Sequence, residues 1–315
     1  MINPEKKKDL EKQGYRLVGE HSAVKACLWT KKSLVGEGTC YKQKFYGIQS
    51  HRCVQMTPSL PFCGLRCVWC WRDTNHTAPK WLGEADEPKK IIKESIEQHV
   101  KYLLGFGGNK KTIKKIYEES KKPLHFAISL AGEPTLYPKL PEFIKELKKQ
   151  NLTSFLVTNA TNPDMLRALK DSLPTQLYIT LPAPNKEVFQ NVCAPLIKNG
   201  WESIKQSLEV MKTYKGKTRT TIRITASKGL NMINPEQYAE LIKIAEPLFV
   251  EVKAYVWVGH SKKRLEKEVM PFHEEIKEFS EKLAKALGYK IIDEFTPSRV
   301  VLLMKEDVPE RIMEF

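Results

Sequence analysis

Pro61-Phe62-Cys63-Gly64-Leu65-Arg66-Cys67-Val68-Trp69-Cys70-Trp71 sets three cysteines in a Cys-x3-Cys-x2-Cys row. Three thiolates this close can wrap one corner of a 4Fe–4S cube and leave the fourth iron without a protein ligand. An iron with an open position can chelate a small molecule, as an open zinc site binds water. The competing assignment is a zinc knuckle with His76 as its fourth ligand, although structural zinc sites favour four ligands in paired groups.

Beyond this row the chain alternates between helical and extended patterns. Helices are predicted over Pro88–Gly105, with Ile92, Ile96, Val100 and Leu103 on one face, and over Lys139–Gln150, Asn162–Lys170, Glu202–Lys212 and Pro235–Ala245. A last long helix carries Phe272, Ile276, Phe279, Leu283 and Leu287 at helical spacing. Strands are predicted over His125–Leu130, Ser154–Thr158, Gln176–Leu181, Thr220–Thr225 and Phe249–Tyr255. Repeated β-α units with short connections imply a parallel sheet with right-handed crossovers. These five strands, with one more leading into the cysteine row, fit a partial β/α TIM-type barrel better than a closed eight-stranded one. The expected class is therefore α/β. Residues 1–75 read as an N-terminal extension leading into the barrel. Residues 76–315 read as the partial barrel with a C-terminal helix and strand extension, the whole forming one compact domain.

Hydrophobic residues make up 41% of the 315 residues and charged residues 28%, which excludes a disordered chain. The N-terminal stretch lacks the apolar core of a signal peptide, and no run approaches the length of a membrane span. A cytoplasmic protein without structural disulfides is expected. Lys and Arg number 52 against 37 Asp and Glu, a formal charge of +15. Such a surplus points to a polyanionic partner, with nucleic acid first. The alternative, a Lys/Glu-rich thermophile surface, would normally balance its signs.

Six of the seven cysteines lie between Cys27 and Cys70. Cys27, Cys40 and Cys53 are separated by twelve residues and then twelve again, which suggests a second 4Fe–4S cluster, again with one open iron. Buried thiols acting as small hydrophobes, or a zinc site completed by His51 or His21, are the alternatives. Cys193 has no partner nearby in sequence and reads as structural.

The Cys63-x3-Cys67-x2-Cys70 row, with aromatic Trp69 before the last cysteine, resembles the signature of the radical S-adenosylmethionine (SAM) superfamily. Ala131-Gly132-Glu133-Pro134-Thr135, after the predicted strand His125–Leu130, resembles that superfamily's Gly-Gly-Glu-Pro loop, with Ala131 in place of the first glycine. The resemblance implies a partial barrel of the radical SAM type. It also implies that SAM binds the open iron and is cleaved by one electron to a 5′-deoxyadenosyl radical. Gly132, Glu133 and Pro134 would lie at the SAM amino group, and Thr158 and Asn159 at its ribose or carboxylate. Arg223 is a further candidate for the carboxylate, with a surface ion pair as its alternative.

The two triplets together, with Cys40-Tyr41-Lys42-Gln43-Lys44-Phe45-Tyr46-Gly47-Ile48, are similar over nearly the whole chain to the archaeal tRNA 4-demethylwyosine synthases. That resemblance implies a substrate, N1-methylguanosine just 3′ of the anticodon in phenylalanine tRNA. The methyl radical carbon would add to pyruvate, whose C2–C3 unit enters a new ring while its carboxyl is lost. Pyruvate can chelate an open iron or form a Schiff base with a deprotonated lysine. Lys42 lies two residues after Cys40, and Lys44 competes for the role; either could instead be a surface lysine. Lys and Arg would dock the tRNA phosphates. Trp69, Trp71 and Tyr255-Val256-Trp257 offer stacking surfaces or core packing. A monomer served by a separate electron donor is expected. A radical SAM activase acting on a partner protein would share Cys63, Cys67 and Cys70 but would not require the basic surface. A zinc-stabilised RNA-binding module is the non-enzymatic alternative.

Overall fold

The computed structural model describes residues 2 and 4–315. Ten strands form one sheet: β1 (Arg16–Val18), β2 (Ser22–Val24), β3 (Cys53–Thr57), β4 (His125–Ile128), β5 (Thr153–Thr158), β6 (Gln176–Thr180), β7 (Arg219–Ala226), β8 (Phe249–Ala254), β9 (Lys290–Phe295) and β10 (Val300–Met304). Eleven α-helices are described: α1 (Pro4–Lys12), α2 (Leu28–Leu34), α3 (Tyr41–Tyr46), α4 (Pro88–Leu103), α5 (Lys114–Ser120), α6 (Leu140–Lys149), α7 (Pro163–Ala168), α8 (Lys186–Cys193), α9 (Gly200–Lys212), α10 (Pro235–Ala245) and α11 (His273–Leu287).

The strands run in the order β1-β2-β3-β4-β5-β6-β7-β8-β10-β9. Neighbours from β3 to β8 pair in parallel. The β1–β2 hairpin adds antiparallel to β3, and β10 and β9 add antiparallel beyond β8. β1 and β9 do not meet, so the barrel is partial, as the strand count predicts. No helix among the described residues is long and apolar enough to cross a membrane.

Parallel strands bury both faces, and here the two faces differ. Leu156, Leu177, Ile179, Ile222, Ile224, Val250 and Val252 join the core beneath the helices. Those helices present matching stripes; α6 buries Leu140, Phe143, Ile144 and Leu147 at helical spacing. Phe155, Tyr178 and Phe249 alternate with these residues and form a second cluster with Tyr41, Phe45 and Tyr46. A six-residue helix, α3, therefore fills the inner face that a closed barrel would fill with its own side chains. Full burial of Phe45 and Tyr46 stabilises that seat by about 2–3 kcal/mol each.

The C-terminal segment holds α3 from the other side. Met313 N donates to the Tyr46 carbonyl at 2.9 Å, and Arg311 Nη1 donates to the Phe45 carbonyl at 3.0 Å. Helix α3 ends at Gly47, whose φ of 78° closes it. A Cβ there would stand 2.3 Å from the Met313 carbonyl oxygen. We therefore expect Gly47→Ala to cost about 2–3 kcal/mol, left-handed strain plus a broken seam. Gly83→Ala, also at positive φ but with nothing within 4 Å, should cost only the strain, about 1 kcal/mol. Urea denaturation midpoints give both values; equal shifts would mean that the seam contributes nothing.

Candidate active site

The Cys63 loop lies at the carboxyl ends of the parallel strands and is sewn down on three sides. Arg66 N and Val68 N donate to the Cys193 and Val192 carbonyls at the end of α8, both at 2.9 Å. Cys63 N donates to the Ala78 carbonyl at 2.9 Å, and His260 N to the Trp71 carbonyl at 2.8 Å. Arg264 donates from Nε to the Val68 carbonyl at 3.1 Å and from Nη2 to the Cys70 carbonyl. The fourth side is the loop after β4. Glu133 N donates to the Phe62 carbonyl at 2.7 Å. Gly132 sits at φ 71°, where a Cβ would stand 1.9 Å from the Ser59 carbonyl oxygen. Glycine is therefore required there by close backbone approach.

Glu133 is 1% exposed, and its carboxylate is held entirely by the protein. Thr135 donates from N at 3.1 Å and from Oγ1 at 2.7 Å. Thr158 Oγ1 and Asn159 N, at the end of β5, donate at 2.5 and 2.7 Å. Burial raises its pKa, and these hydrogen bonds oppose the rise. Gly132, Glu133, Pro134, Thr158 and Asn159 are thus gathered in one place. Asn159 Nδ2 also approaches Cys63 Sγ at 3.6 Å.

Burial pushes the Cys63 thiol up to about 12. Cys67 is raised by a hydrogen bond with Cys193 and by burial. Cys193, expected to be structural, is fully buried and touches the first triplet. Arg72 is buried beside all three sulfurs: burial would lower its pKa, but Cys63 and Cys70 raise it overall. Its Nη2 has no hydrogen-bond partner among the described residues. A buried cation with an unused donor, facing three thiols, suits a negatively charged thiolate-bound group.

Cys27 and Cys40 precede α2 and α3, and Cys53 opens β3. Their sulfurs influence one another, and burial pushes Cys40 and Cys53 up to about 12. Lys42 is 8% exposed, with Nζ 4.8 Å from the Phe155 ring centre and 4.5 Å from that of Tyr178. Burial and the Arg223 guanidinium lower its pKa. Lys44 points outward, to Asp293 Oδ1 at 2.7 Å and the Glu294 carbonyl at 2.8 Å.

Arg223 forms an ion pair that is buried, not superficial: Nε donates to Glu251 Oε2 at 2.9 Å and Nη2 to Tyr41 OH at 2.7 Å. It faces Lys42, not the Cys63 loop. The histidines weighed as zinc ligands have other neighbours. His21 Nδ1 lies 2.6 Å from the Pro58 carbonyl oxygen, and His51 Nε2 lies 2.8 Å from Glu119. His76 is exposed near Asp73. Among the described residues no three His, Cys, Asp or Glu side chains gather tightly enough to grip a single metal ion; the ligands of a four-iron cube stand wider apart, at its corners. Trp71 Nε1 donates to the Leu130 carbonyl and Trp257 Nε1 to the Leu265 carbonyl, Trp69 packs on the core, and Tyr255 is buried. Sequence reasoning missed Arg72, Arg264, Tyr41, Tyr46, Glu251 and Lys253. Glu251 and Lys253 carried a signal, since charges on an interior strand whose two faces are both covered must face something other than solvent.

The radical SAM superfamily profile matches residues 57–242, and one for wyosine base formation matches residues 244–305. The S-adenosyl-L-methionine-dependent tRNA 4-demethylwyosine synthase of Pyrococcus horikoshii is 50% identical over 94% of this chain and 87% of its own. This chain belongs to that synthase family. The Methanocaldococcus jannaschii synthase is 39% identical over 98% of both chains. A solved structure of TYW1 with a lysine–pyruvate adduct bound superposes with a TM-score of 0.86 at 39% identity, covering 97% of each chain.

In this synthase-family member Glu133→Ala removes the acceptor of four donors at once. We expect a loss of about 3 kcal/mol in urea denaturation, and less for Glu133→Gln, which keeps an acceptor oxygen. An unchanged midpoint for Glu133→Ala would show that the loop is held by its backbone alone.

Proposed function

We propose that the protein converts N1-methylguanosine, beside the anticodon of phenylalanine tRNA, into the tricyclic base 4-demethylwyosine, with pyruvate as two-carbon donor. The observation that carries this reading is Lys42, a lysine buried on aromatic rings beside Cys40 and Cys53. It lies in a chain whose relative holds a lysine–pyruvate adduct.

Cys63, Cys67 and Cys70 would hold the 4Fe–4S cluster at which SAM binds, and Cys27, Cys40 and Cys53 a second. SAM would supply at the first cluster the radical chemistry that takes hydrogen from the N1-methyl group. Gly132, Glu133, Pro134, Thr158 and Asn159 position SAM; Glu133 acts through the loop it fastens, because its own oxygens are occupied. Neutral Lys42 Nζ attacks C2 of pyruvate. The ketone oxygen leaves as water with the two nitrogen protons, and a C=N bond remains. Exposed Lys262, Lys263 and Lys267, on the segment that Arg264 ties to the Cys63 loop, receive tRNA phosphates. The protein works in the cytoplasm as a monomer supplied by a separate electron donor.

Anaerobic incubation of tRNA with the enzyme, SAM, reductant and pyruvate should yield 4-demethylwyosine on nucleoside mass spectrometry. SAM cleavage with the methylguanosine untouched would overturn the substrate assignment. Reconstituted protein should carry about eight irons and each single-cluster variant about four. Cys63→Ala should lose SAM cleavage, whereas Cys40→Ala should retain it without ring formation. Full iron content in Cys40→Ala would remove the second cluster.

Burial depresses the Lys42 pKa, so its neutral form persists at lower pH than in an ordinary lysine, at about 10.4. Cyanoborohydride with pyruvate should therefore trap an adduct on the Lys42 peptide at neutral pH, in preference to Lys44. Trapping that begins only near pH 10 would show that burial does not activate the amine.

A further inference from the structure

The inner face beside Lys42 holds more positive charge than it neutralises. Lys42, Arg223 and Lys253 face one another there, and the carboxylate acting most strongly on Lys42 and Lys253 is Glu251. Glu251 is fully buried and already engaged: it accepts from Arg223 Nε at 2.9 Å, Tyr41 OH at 3.0 Å and Tyr46 OH at 2.7 Å. With Lys42 neutral for its attack, Arg223 and Lys253 are two half-buried cations against one carboxylate, a surplus that is costly unless an anion joins it. The second thiolate-bound cluster supplies part of that charge. Its nearest cations, Lys42 and Lys253, both sense the Cys40 sulfur.

Geometry shows where a further anion fits. Lys42 Nζ lies 4.5 Å and Arg223 Cζ 4.6 Å from the centre of the same Tyr178 ring. Arg223 is pinned through Nε and Nη2, while Nη1 has no protein acceptor among the described residues and is not sealed off from solvent. Lys253 Nζ donates to the Ser298 carbonyl at 3.0 Å and stands 5.9 Å from the Tyr41 ring centre, and Tyr41 OH is the group that holds Arg223. Lys253 has two further N–H donors to offer. A small molecule whose ketone reaches Lys42 would place an adjacent carboxylate within this cationic arc.

We propose that Arg223 and Lys253 bind the carboxylate of the 2-oxo acid whose carbonyl Lys42 takes, and that Glu251, Tyr41 and Tyr46 are positioning residues that aim Arg223. This rests on the pyruvate reading above and adds the means by which a 2-oxo acid is told from an uncharged ketone. Charge-assisted hydrogen bonds to a carboxylate are the strong ones, and burial strengthens them further.

The test uses the reconstituted two-cluster enzyme. Oxamate carries the same carboxylate but an amide carbonyl that forms no Schiff base, so calorimetric binding of oxamate reports binding without the imine, and its loss in a variant reads that side chain's share. Lys253→Met and Arg223→Lys should each weaken oxamate by about tenfold or more, while Lys42→Ala should keep it. In cyanoborohydride trapping, the same two variants should slow the pyruvate adduct and leave the adduct with acetone, which has no carboxylate, at the wild-type rate. Lys253→Met is the informative variant because, among the described residues, the Ser298 carbonyl is the one hydrogen-bond acceptor of Lys253; iron content and melting temperature confirm that it is loaded and folded. Wild-type oxamate affinity in both variants would overturn the proposal even if Lys42 is trapped by pyruvate. Equal loss of the pyruvate and acetone adducts would also overturn it, since Lys253 would then serve the amine. No adduct on Lys42 with either carbonyl would sink the Schiff-base reading instead, and oxamate binding would still decide the carboxylate site.

Discussion

The buried carboxylate of Glu133 is the interaction on which the site depends. An ionised group out of water is tolerated only when several donors converge on it. Here they come from two segments: Thr135 on its own loop, and Thr158 and Asn159 at the end of β5. The backbone of Glu133 reaches a third, the Phe62 carbonyl beside Cys63. One residue therefore fixes the relative position of the cysteine loop and two strand ends. Because its oxygens are occupied, the groups left to meet a ligand are the loop backbone and the Asn159 side chain.

Both cysteine triplets show the same electrostatic design. Burial favours protonated thiols, which bind no metal. Each set is accompanied by basic side chains, buried Arg72 for the first and buried Lys42 with half-buried Lys253 for the second. Positive charge is thus installed in advance beside both sets of thiols, where the proposed clusters would bring negative charge. At the second triplet the same cations lie over Tyr178 and Phe155 or beside Tyr41, so the protein combines an apolar wall with charge in one small volume.

The parallel strands were legible because their apolar runs and turn signals are local. Pro235–Ala245 is observed as predicted, and β4 to β8 fall within two residues of expectation. The N-terminal hairpin was not legible, and the C-terminal one was expected only as a strand extension without bounds. β1 and β2 have three residues each, too few to show a period. β10, Val300–Met304, is a five-residue apolar run that a pattern alone cannot separate from buried helix. Helix α3 was missed as a helix because its Tyr and Phe content reads as strand; packing against Phe155, Tyr178 and Phe249 decides its form. In the site, the cysteines were visible through spacing. Lys42 was visible through its proximity to Cys40, whereas the Arg223–Glu251 pair and the Cys67–Cys193 contact join distant segments and left no local trace.

β1 and β9 stay apart at the two edges of the sheet, and α3 covers its inner face without joining them. A complete ring of strands is a well with one mouth, suited to small molecules that diffuse in whole. A nucleotide in the middle of an RNA has chain on both sides and no free end to lower into a well. A sheet that stops short of a ring offers a slot, and a slot can be entered broadside by a base that never leaves its polymer.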